Sequence, residues 1–361
     1  MNKKKIIFTL PDITSGGAER VMSFVAKNIS REKFDVSIWA CGYEKNTKYN
    51  VEGVHVVYFN KPRVLKATPN LFLKLRKEKP DVVISSIAHL NTIMGLLSIF
   101  FPKIKFIGRE ANVLSVRKLY SPNKKPPSSH GYLMDFCYKS LDLILCQSND
   151  MYNDMKNNYN IPENKLTIIN NPITDNFKLK KTPYHTKKEV INFVTVASLK
   201  KQKGHERIIR TLAKLNFPYT YTIIGNGSEK ENIFRLINDL NLGAKIKHIP
   251  YTNEVSSYLS KNDFFLQGSF VEGFPNSLIE SCSVGTPVIA IKAPGGLDEI
   301  IEENINGKIA ANENDFLNKI IESISQSWDK TVIRESVVRK FNKEKIISEY
   351  ENLFLEILNK S

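Results

Sequence analysis

The stretch FVEGFPNSLIESCSVGTPVIA, Phe270 to Ala290, contains a forced turn, a short helix and the start of a strand. Pro275 cannot lie in mid-helix, and Asn276 or Ser277 can cap a helix that begins there. Gly285 is placed to end that helix, and an apolar run follows it. A turn, a helix and a strand in this order are typical of a sheet whose parallel strands are joined by helices.

Short apolar runs alternate with amphipathic stretches along the whole chain. Many of the runs are apolar at every position, which indicates strands buried on both faces of a sheet. Helices are predicted between them, for example over residues 19–29, 149–159 and 229–240. The predicted strands are KIIFTL, FDVSIWA, VHVVYF, DVVISS, KFIGRE, LILCQS, KLTIIN, INFVTVAS, YTYTIIG, KIKHIP, DFFLQGS and TPVIAI.

The alternation restarts after a polar, lysine-rich segment at residues 170–190, which we interpret as a linker. The fold class is therefore α/β, with two doubly wound Rossmann-like domains facing across a cleft. We expect an N-terminal domain over residues 1–175 and a C-terminal domain over residues 176–340. An amphipathic helix within residues 341–361 is expected to cross back to the first domain.

Composition limits the classes of function. Four cysteines without paired spacing and six scattered histidines predict reduced thiols and no metal centre. The apolar run TIMGLLSIFF is half the length of a membrane span, so we expect a buried helix there, and the first apolar run is too short for a signal peptide. The net charge of +15 favours polyanionic partners such as phosphorylated substrates or anionic lipid, although simple solubility is the alternative explanation.

Glycine turns at strand-to-helix junctions are the candidate binding elements, because helix N-termini there offer free N–H groups to anions. Gly16 and Gly17 form one such turn, and Gly225 lies in another. Lys203 precedes a helix start where its charge can meet a phosphate. Each of these features alone is also explained as an ordinary turn or a solvated lysine.

Two glutamates flank the turn of the opening stretch. Glu280 lies about one turn inside the predicted helix, where a carboxylate can accept two hydrogen bonds from a vicinal diol such as ribose. Glu272 precedes the turn and would face groups beyond a phosphate bound at the helix start. The alternative is that Glu280 is an ordinary helix residue and Glu272 an ordinary loop charge.

The Glu-x7-Glu pattern in EGFPNSLIE, followed by GTPVIA, resembles the donor-site motif of retaining glycosyltransferases of family 4, which have the GT-B fold. SGGAER, NPI, LKKQKG and IIGNGSE occur in the order that the family shows, so the resemblance covers nearly the whole chain. It is strongest to enzymes that extend bacterial surface polysaccharides or lipid-linked oligosaccharides.

The resemblance implies a nucleotide-diphosphate sugar as co-substrate, with UDP expected, and neither a cofactor nor a metal ion. Glu280 would hold the ribose, Glu272 the transferred sugar, and Lys203 the leaving pyrophosphate. Ser198 stands where many members have an arginine, so one cation of that site is missing. The implied catalytic residues are Glu272, Lys203 and His89, and the implied donor-binding residues are Gly16, Gly17, Ser198, Lys203, Gly225, Gly273, Phe274, Pro275, Asn276 and Glu280.

Four residues are candidates for the acceptor side. His89 follows a strand end at the position where some family members carry a histidine of the catalytic site, although a half-buried loop histidine is an equal alternative. Arg109, Glu110 and Asn112 follow another strand and are expected to face the cleft, unless the first two form a local ion pair.

The sequence predicts a retaining hexosyltransferase that is cytoplasmic and attached peripherally to the anionic inner face of the membrane, with a lipid-linked glycan as acceptor and no nucleic-acid partner. Residues 60–80 and 116–139 mix lysine and arginine with apolar side chains and are the predicted membrane contacts, with Lys118, Lys124 and Lys125 among them. The alternatives are a sugar-nucleotide epimerase of the same fold and a non-catalytic protein that binds nucleotide sugars or polyanions.

Overall fold

The computed structural model describes residues 3–14, 16–120, 130–174, 177–179 and 189–359, without the side chains of residues 130–132. Ser15, Lys124, Lys125 and much of the predicted linker therefore lie outside the described residues. Within them the chain forms two compact units. The first comprises the described residues of Met1–Ser115, Pro122–Pro172 and Lys343–Ser361, and the second those of Val116–Ser121 and Ile173–Asn342.

The first unit contains a seven-stranded sheet in the order β3-β2-β1-β4-β5-β6-β7, in which every described pair is parallel. Its central strands are buried along almost their whole length, as their continuous apolar runs predict. The elements are β1 Lys4–Leu10, α1 Gly17–Asn28, β2 Phe34–Ala40, β3 His55–Tyr58, α2 Val64–Glu78, β4 Val82–Ser86, α3 Ala88–Ser98, β5 Lys105–Arg109, α5 His130–Ser140, β6 Leu143–Cys146, α6 Asn149–Asn158 and β7 Leu166–Ile168. The helix α4 (Leu114–Leu119) begins in this unit, and its residues 116–119 belong to the second.

The second unit contains a six-stranded parallel sheet in the order β10-β9-β8-β11-β12-β13. The predicted doubly wound α/β class is confirmed for both units. The elements are β8 Ile191–Val196, α7 His205–Leu212, β9 Tyr219–Ile224, α8 Lys230–Asp239, β10 Ile246–Ile249, α9 Val255–Lys261, β11 Phe264–Gln267, α10 Asn276–Ser283, β12 Val288–Ile291, α11 Leu297–Ile300, β13 Gly307–Ala310, α12 Glu313–Ser325 and α13 Lys330–Phe341.

The last helix, α14 (Lys343–Asn359), belongs to the core of the first unit. The ring of Phe354 meets Phe8 and Phe34 edge-on, each at a centroid distance of 6.0 Å. Glu351 accepts a hydrogen bond of 2.9 Å from the backbone N–H of Ser30. Because buried aromatic pairs of this geometry add to the energy of burial, α14 is an integral part of this unit.

The chain passes between the units after Pro172 and after Asn342, and the short second-unit segment Val116–Ser121 adds two further crossings. On the second-unit side, Ile173 N donates to the carbonyl oxygen of Phe341 at 2.8 Å, so the two crossing segments lie side by side. The chain therefore enters the second unit at Ile173 and leaves it after Asn342 at neighbouring positions of that unit.

Three details differ from the sequence expectations. The sequence does not predict the strand β13. The apolar run TIMGLLSIFF, which the sequence predicts to be a buried helix, is not wholly buried, because Ile99 and Phe100 just beyond the end of α3 are 49% and 61% exposed. The capping prediction for α10 is wrong, since Pro275 occupies the N-cap and no side chain caps the helix. None of the helices in the described residues is long and apolar enough to cross a bilayer.

Candidate functional site

The second sheet changes direction between β8 and β11. From β8 the chain adds β9 and β10 on one side, and it then returns to add β11, β12 and β13 on the other. Ligands of doubly wound sheets bind beyond the carboxyl ends of the two strands at such a switch point. Lys203 follows β8 and Glu272 follows β11, so both predicted residues lie on the loops that flank this point.

Lys203 and Glu272 form an ion pair. The Nζ atom of Lys203 lies 2.7 Å from Oε1 and 2.6 Å from Oε2 of Glu272, and the hydroxyl of Ser269 donates to Oε1 at 2.7 Å. The lysine side chain is 20% exposed and the glutamate side chain 9%. The ammonium therefore remains accessible to a ligand, while the carboxylate is fixed by two donors.

Glycines allow the loops at this edge to touch through their backbones. A Cβ atom on Gly204, whose φ is +58°, would lie 2.0 Å from the carbonyl oxygen of Gly268. A Cβ on Gly225 would lie 2.0 Å from the carbonyl oxygen of Ala197, and one on Gly295 would lie 2.4 Å from that of Glu272. No real Cβ fits at such distances, so these close approaches require glycine.

Arg207, on the first turn of α7, is a residue of this site that the sequence does not predict. Its guanidinium donates to the carbonyl oxygen of Gly268 at 3.1 Å, pairs with Glu313 at 3.1 Å and lies 4.5 Å from the ring centroid of Phe270. The ring of Tyr120 stacks on that of Phe270, with a distance of 4.8 Å between the ring centroids and an interplanar angle of 19°. Arg207 thereby braces the loop that carries Glu272, and only its position after a lysine-rich turn could have indicated this.

Pro275 is the N-cap residue of α10 and makes no side-chain cap hydrogen bond, and the ring of Phe274 just before it lies 5.2 Å from that of Phe341. The N–H groups at the start of a helix attract anions. Glu280 lies one turn further in and is 4% exposed. Gly273 and Pro275 lie in the turn before the helix and Asn276 is its first residue, so the two glutamates lie on either side of an anion-attracting turn.

Ser198 lies on the loop after β8, and its carbonyl oxygen is 3.2 Å from Nε2 of His205. His205 is 2% exposed, and burial lowers its pKa to about 4. The ring is therefore neutral at physiological pH and donates from Nε2 to Ser198, which leaves Nδ1 without a hydrogen-bond partner. It fixes the loop that precedes Lys203 without adding a charge.

In the first unit, the residues that follow the two switch-point strands β1 and β4 are those of the predicted glycine turn and His89. Gly16 is the N-cap of α1, and its carbonyl oxygen accepts from the hydroxyl of Tyr49 at 2.8 Å, with Gly17 opening the helix. His89 is exposed at the start of α3. It follows Ile87, whose φ of 81° is strained for a β-branched residue.

Arg109 and Glu110 are not exposed, which corrects the prediction that they face an acceptor. Arg109 is 0% exposed, and its three guanidinium nitrogens donate to Tyr350 Oη (3.2 Å), Ser86 Oγ (3.3 Å) and Asn171 Oδ1 (2.6 Å). Glu110 is 1% exposed.

The carboxylate of Glu110 accepts hydrogen bonds from the Asn91 side chain (2.8 Å) and from the Tyr138 hydroxyl. Asn112 is partly buried, with no hydrogen-bond partner for Oδ1. A position after a strand end does not reveal which face a side chain takes, and here the packing of the unit recruits Arg109 and Glu110.

Known proteins match the chain along its length. A relative from Campylobacter jejuni, N-acetylgalactosamine-N,N'-diacetylbacillosaminyl-diphospho-undecaprenol 4-alpha-N-acetylgalactosaminyltransferase, is 26% identical over 352 residues, which cover 95% of this chain and 93% of that protein. A glycosyltransferase structure from Rickettsia africae superposes with a TM-score of 0.81 at 19% identity and covers 100% of both chains. A structure of Anabaena HepE in complex with UDP-glucose has a TM-score of 0.78 at 16% identity and covers 98% of this chain and 99% of that one.

Two family models match in succession, "Glycosyltransferase Family 4" over residues 15–177 and "Glycosyl transferases group 1" over residues 176–337. Together with the two parallel-sheet units, these matches define the class as glycosyltransferases of the GT-B fold. Within that class the chain belongs to the family 4-like glycosyltransferases, which confirms the resemblance of its motifs.

Proposed function

We propose that the protein transfers a hexose or N-acetylhexosamine from a UDP-linked sugar to a hydroxyl of a growing lipid-linked glycan in surface polysaccharide synthesis, with retention of configuration. The observation that carries this proposal is the pair of Lys203 and Glu272, held at the switch point beside the uncapped start of α10. The Campylobacter relative, named for transfer to a diphospho-undecaprenol-linked sugar, supports the acceptor class, and the Anabaena complex with UDP-glucose supports the donor class.

The donor would be held by charge and by hydrogen-bond acceptors. Its diphosphate would take the N–H groups of α10 and the ammonium of Lys203, both of which favour anions. Glu280 would accept hydrogen bonds from the two ribose hydroxyls, because an ionised carboxylate has only acceptors. The proposal assigns the neutralisation of the leaving diphosphate to these groups and not to a metal ion.

Lys203 is paired with Glu272, so donor binding would change its partner. When Lys203 turns to the phosphate, Oε2 of Glu272 loses its charged donor, while Ser269 still donates to Oε1 and holds the carboxylate in place. Oε2 could then accept a hydrogen bond from a hydroxyl of the transferred sugar. The loop would thus couple the arrival of the diphosphate to the capture of the sugar.

For retention, the acceptor hydroxyl would attack the anomeric carbon on the face that the leaving diphosphate vacates. The bond from the anomeric carbon to the phosphate oxygen breaks, the bond to the acceptor oxygen forms, and a phosphate oxygen takes the hydroxyl proton. The protein then contributes position and positive charge without a covalent intermediate.

The test combines calorimetric titration of the purified protein with UDP sugars and an assay with an undecaprenyl-diphosphate-linked sugar. We expect binding in the absence of acceptor, UDP release only with acceptor, and a product whose anomeric NMR coupling matches that of the donor. Conversion of the UDP sugar to an epimer without acceptor would show an epimerase instead. Binding without turnover on any lipid-linked acceptor would show a non-catalytic binding protein.

A further inference from the structure

The first unit exposes a group of large apolar side chains on α2, on α3 with the residues just after it, and on α5. Leu65 and Leu73 are 72% and 63% exposed, and Phe100 is 61% exposed. Among the described residues of this unit, the only other exposed large apolar side chain is that of Leu355 on α14. We define the α2–α3–α5 surface by its apolar members Leu65, Leu73, Leu96, Ile99, Phe100, Leu133 and Phe136.

The three helices that carry these side chains pack on one another, with α3 in contact with both α2 and α5. At the crossing of α3 and α5, Gly95 approaches so closely that a Cβ on it would lie 1.9 Å from the carbonyl oxygen of Cys137. Phe72 of α2 contacts the ring of Phe100, with a centroid distance of 5.9 Å. Leu96, Ile99 and Phe100 recur at helical spacing on α3 and the turn after it, as Leu133 and Phe136 do on α5.

The same helices carry exposed cations, and their acidic groups are few. Glu78 of α2 is held by Lys5 and Lys74, and Asp135 of α5 is only partly exposed. The exposed cations on or directly beside the three helices are Lys66, Arg76, Lys77, Lys79, Lys103 and Lys139. An apolar surface bordered by cations has the chemistry of a helix face that lies in the headgroup layer of an anionic membrane.

We propose that the α2–α3–α5 surface docks the protein on an anionic phospholipid bilayer. The proposal rests on the proposed function in one respect, since a lipid-linked acceptor is embedded in such a bilayer. Burying exposed apolar side chains supplies one part of the attraction, and each basic residue near an anionic surface adds about 1 kcal/mol. A second copy of the chain fits less well, because an isologous contact would bring the same cations together.

The proposed surface keeps members of both sequence-predicted membrane segments, with Leu65 and Leu73 from residues 60–80 and Leu133 and Phe136 from residues 116–139. Lys124 and Lys125 of the sequence-based membrane segment lie outside the described residues, and Lys118 belongs to a segment of the second unit. The end of α3, which the sequence predicts to be buried, instead contributes Leu96, Ile99 and Phe100 to the surface.

The test is cosedimentation of the full-length protein with phosphatidylcholine vesicles that contain or lack phosphatidylglycerol. The variant Leu73→Glu/Ile99→Glu places two anions on the α2–α3–α5 surface. Its matched control is Ile321→Glu/Val332→Glu on the second unit, where Ile321 is 47% exposed and Val332 is 45% exposed. We expect the wild type and the control to bind anionic vesicles, and the first variant to bind at least roughly tenfold more weakly.

Charge and insertion give two further measurements. Binding should fall as salt rises, because exposed charges are screened over about 8–10 Å at physiological ionic strength. The emission of a Phe100→Trp variant should shift to shorter wavelength on anionic vesicles. Failure of the wild type to bind anionic vesicles at low salt, or equal binding of both double variants, would overturn the proposal, as would a dimer that the Leu73→Glu/Ile99→Glu change dissolves.

Calorimetry with a UDP sugar separates this proposal from the proposed function. We expect the Leu73→Glu/Ile99→Glu variant to bind the UDP sugar like the wild type, because both residues belong to the first unit, whereas Lys203, Glu272 and Glu280 of the proposed donor site belong to the second. If the wild type binds the UDP sugar but not the anionic vesicles, only the proposed membrane surface is contradicted. Intact vesicle binding without UDP-sugar binding would overturn only the proposed donor.

Discussion

The carboxyl edges of the two sheets are built differently at their switch points. In the second unit, the loops after β8 and β11 touch through glycine backbones and join Lys203 to Glu272. In the first unit, a Cβ on Gly16 would meet the flexible end of the Glu19 side chain, and the charged residue that ends β5, Arg109, turns into the core. The second edge therefore holds an ionic site in a rigid frame, whereas the first keeps its buried charges for the stability of its own unit.

The strongest test of this contrast is the removal of Lys203. Lys203→Ala should lower turnover by more than roughly a hundredfold, because a charge-assisted contact to the diphosphate is lost and Glu272 loses its partner. Lys200→Ala, which removes an exposed lysine of the same loop, is the matched control and should retain activity. The measurement is kcat and KM of both variants in steady-state assays with a UDP sugar. Full activity of Lys203→Ala would place the diphosphate elsewhere.

The two glutamates should separate in their kinetic effects. Glu280→Ala should mainly raise the KM for the donor, since ribose is bound equally in the ground and transition states. Glu272→Ala should mainly lower kcat, since its carboxylate is proposed to touch the reacting sugar. Each loss is expected to cost about 1.5–3 kcal/mol, or roughly ten- to a hundredfold. Wild-type constants in both variants would contradict the proposed donor site.

Alanine at glycine positions compares the two edges directly. Gly204→Ala forces a Cβ against the backbone of Gly268, so the free energy of unfolding should fall by up to several kcal/mol. The affinity for the donor should fall as well, because Gly204 lies next to Lys203. Gly16→Ala should be milder, because the Glu19 side chain can move away. Gly243, with nothing within 4 Å of a built Cβ, is the neutral control. Equal urea midpoints for Gly204→Ala and Gly243→Ala would show that the second edge is not rigid.

The smallest expected effect is a pH dependence from His205. Because burial lowers its folded pKa to about 4 from an ordinary value of 6.5, the unfolded chain binds more protons between these values. Its contribution to stability is complete above pH 6.5 and is lost as the pH falls towards 4. His205→Gln should therefore weaken the decline in the free energy of unfolding between pH 6.5 and 5, as measured by urea titration. An unchanged slope would mean that other groups cause the decline.

Regular elements were predictable because their signal is local. Twelve strands follow from apolar runs, whereas β13 escaped notice because Gly307 and Lys308 interrupt its short run. Lys203 and Glu272 were singled out from turn chemistry, but their ion pair was not foreseen, because it joins positions 69 residues apart in the chain. Arg109 and Glu110 were misplaced for a related reason. Their burial depends on Tyr350, Asn171 and Tyr138, which reach them from distant parts of the sequence.

The two crossings after Pro172 and Asn342 make most of the second unit an insertion in the sequence of the first. Apart from its short segment Val116–Ser121, the second unit runs from Ile173 to Asn342 inside the sequence of the first, and its two ends are joined by a hydrogen bond of 2.8 Å. Cutting the chain at Asn342 would thus deprive the first unit of α14 and its aromatic core, whereas exchanging residues 173–342 as one cassette would leave that core whole. Recombination among relatives could therefore replace the second unit in a single event while the first unit kept its fold.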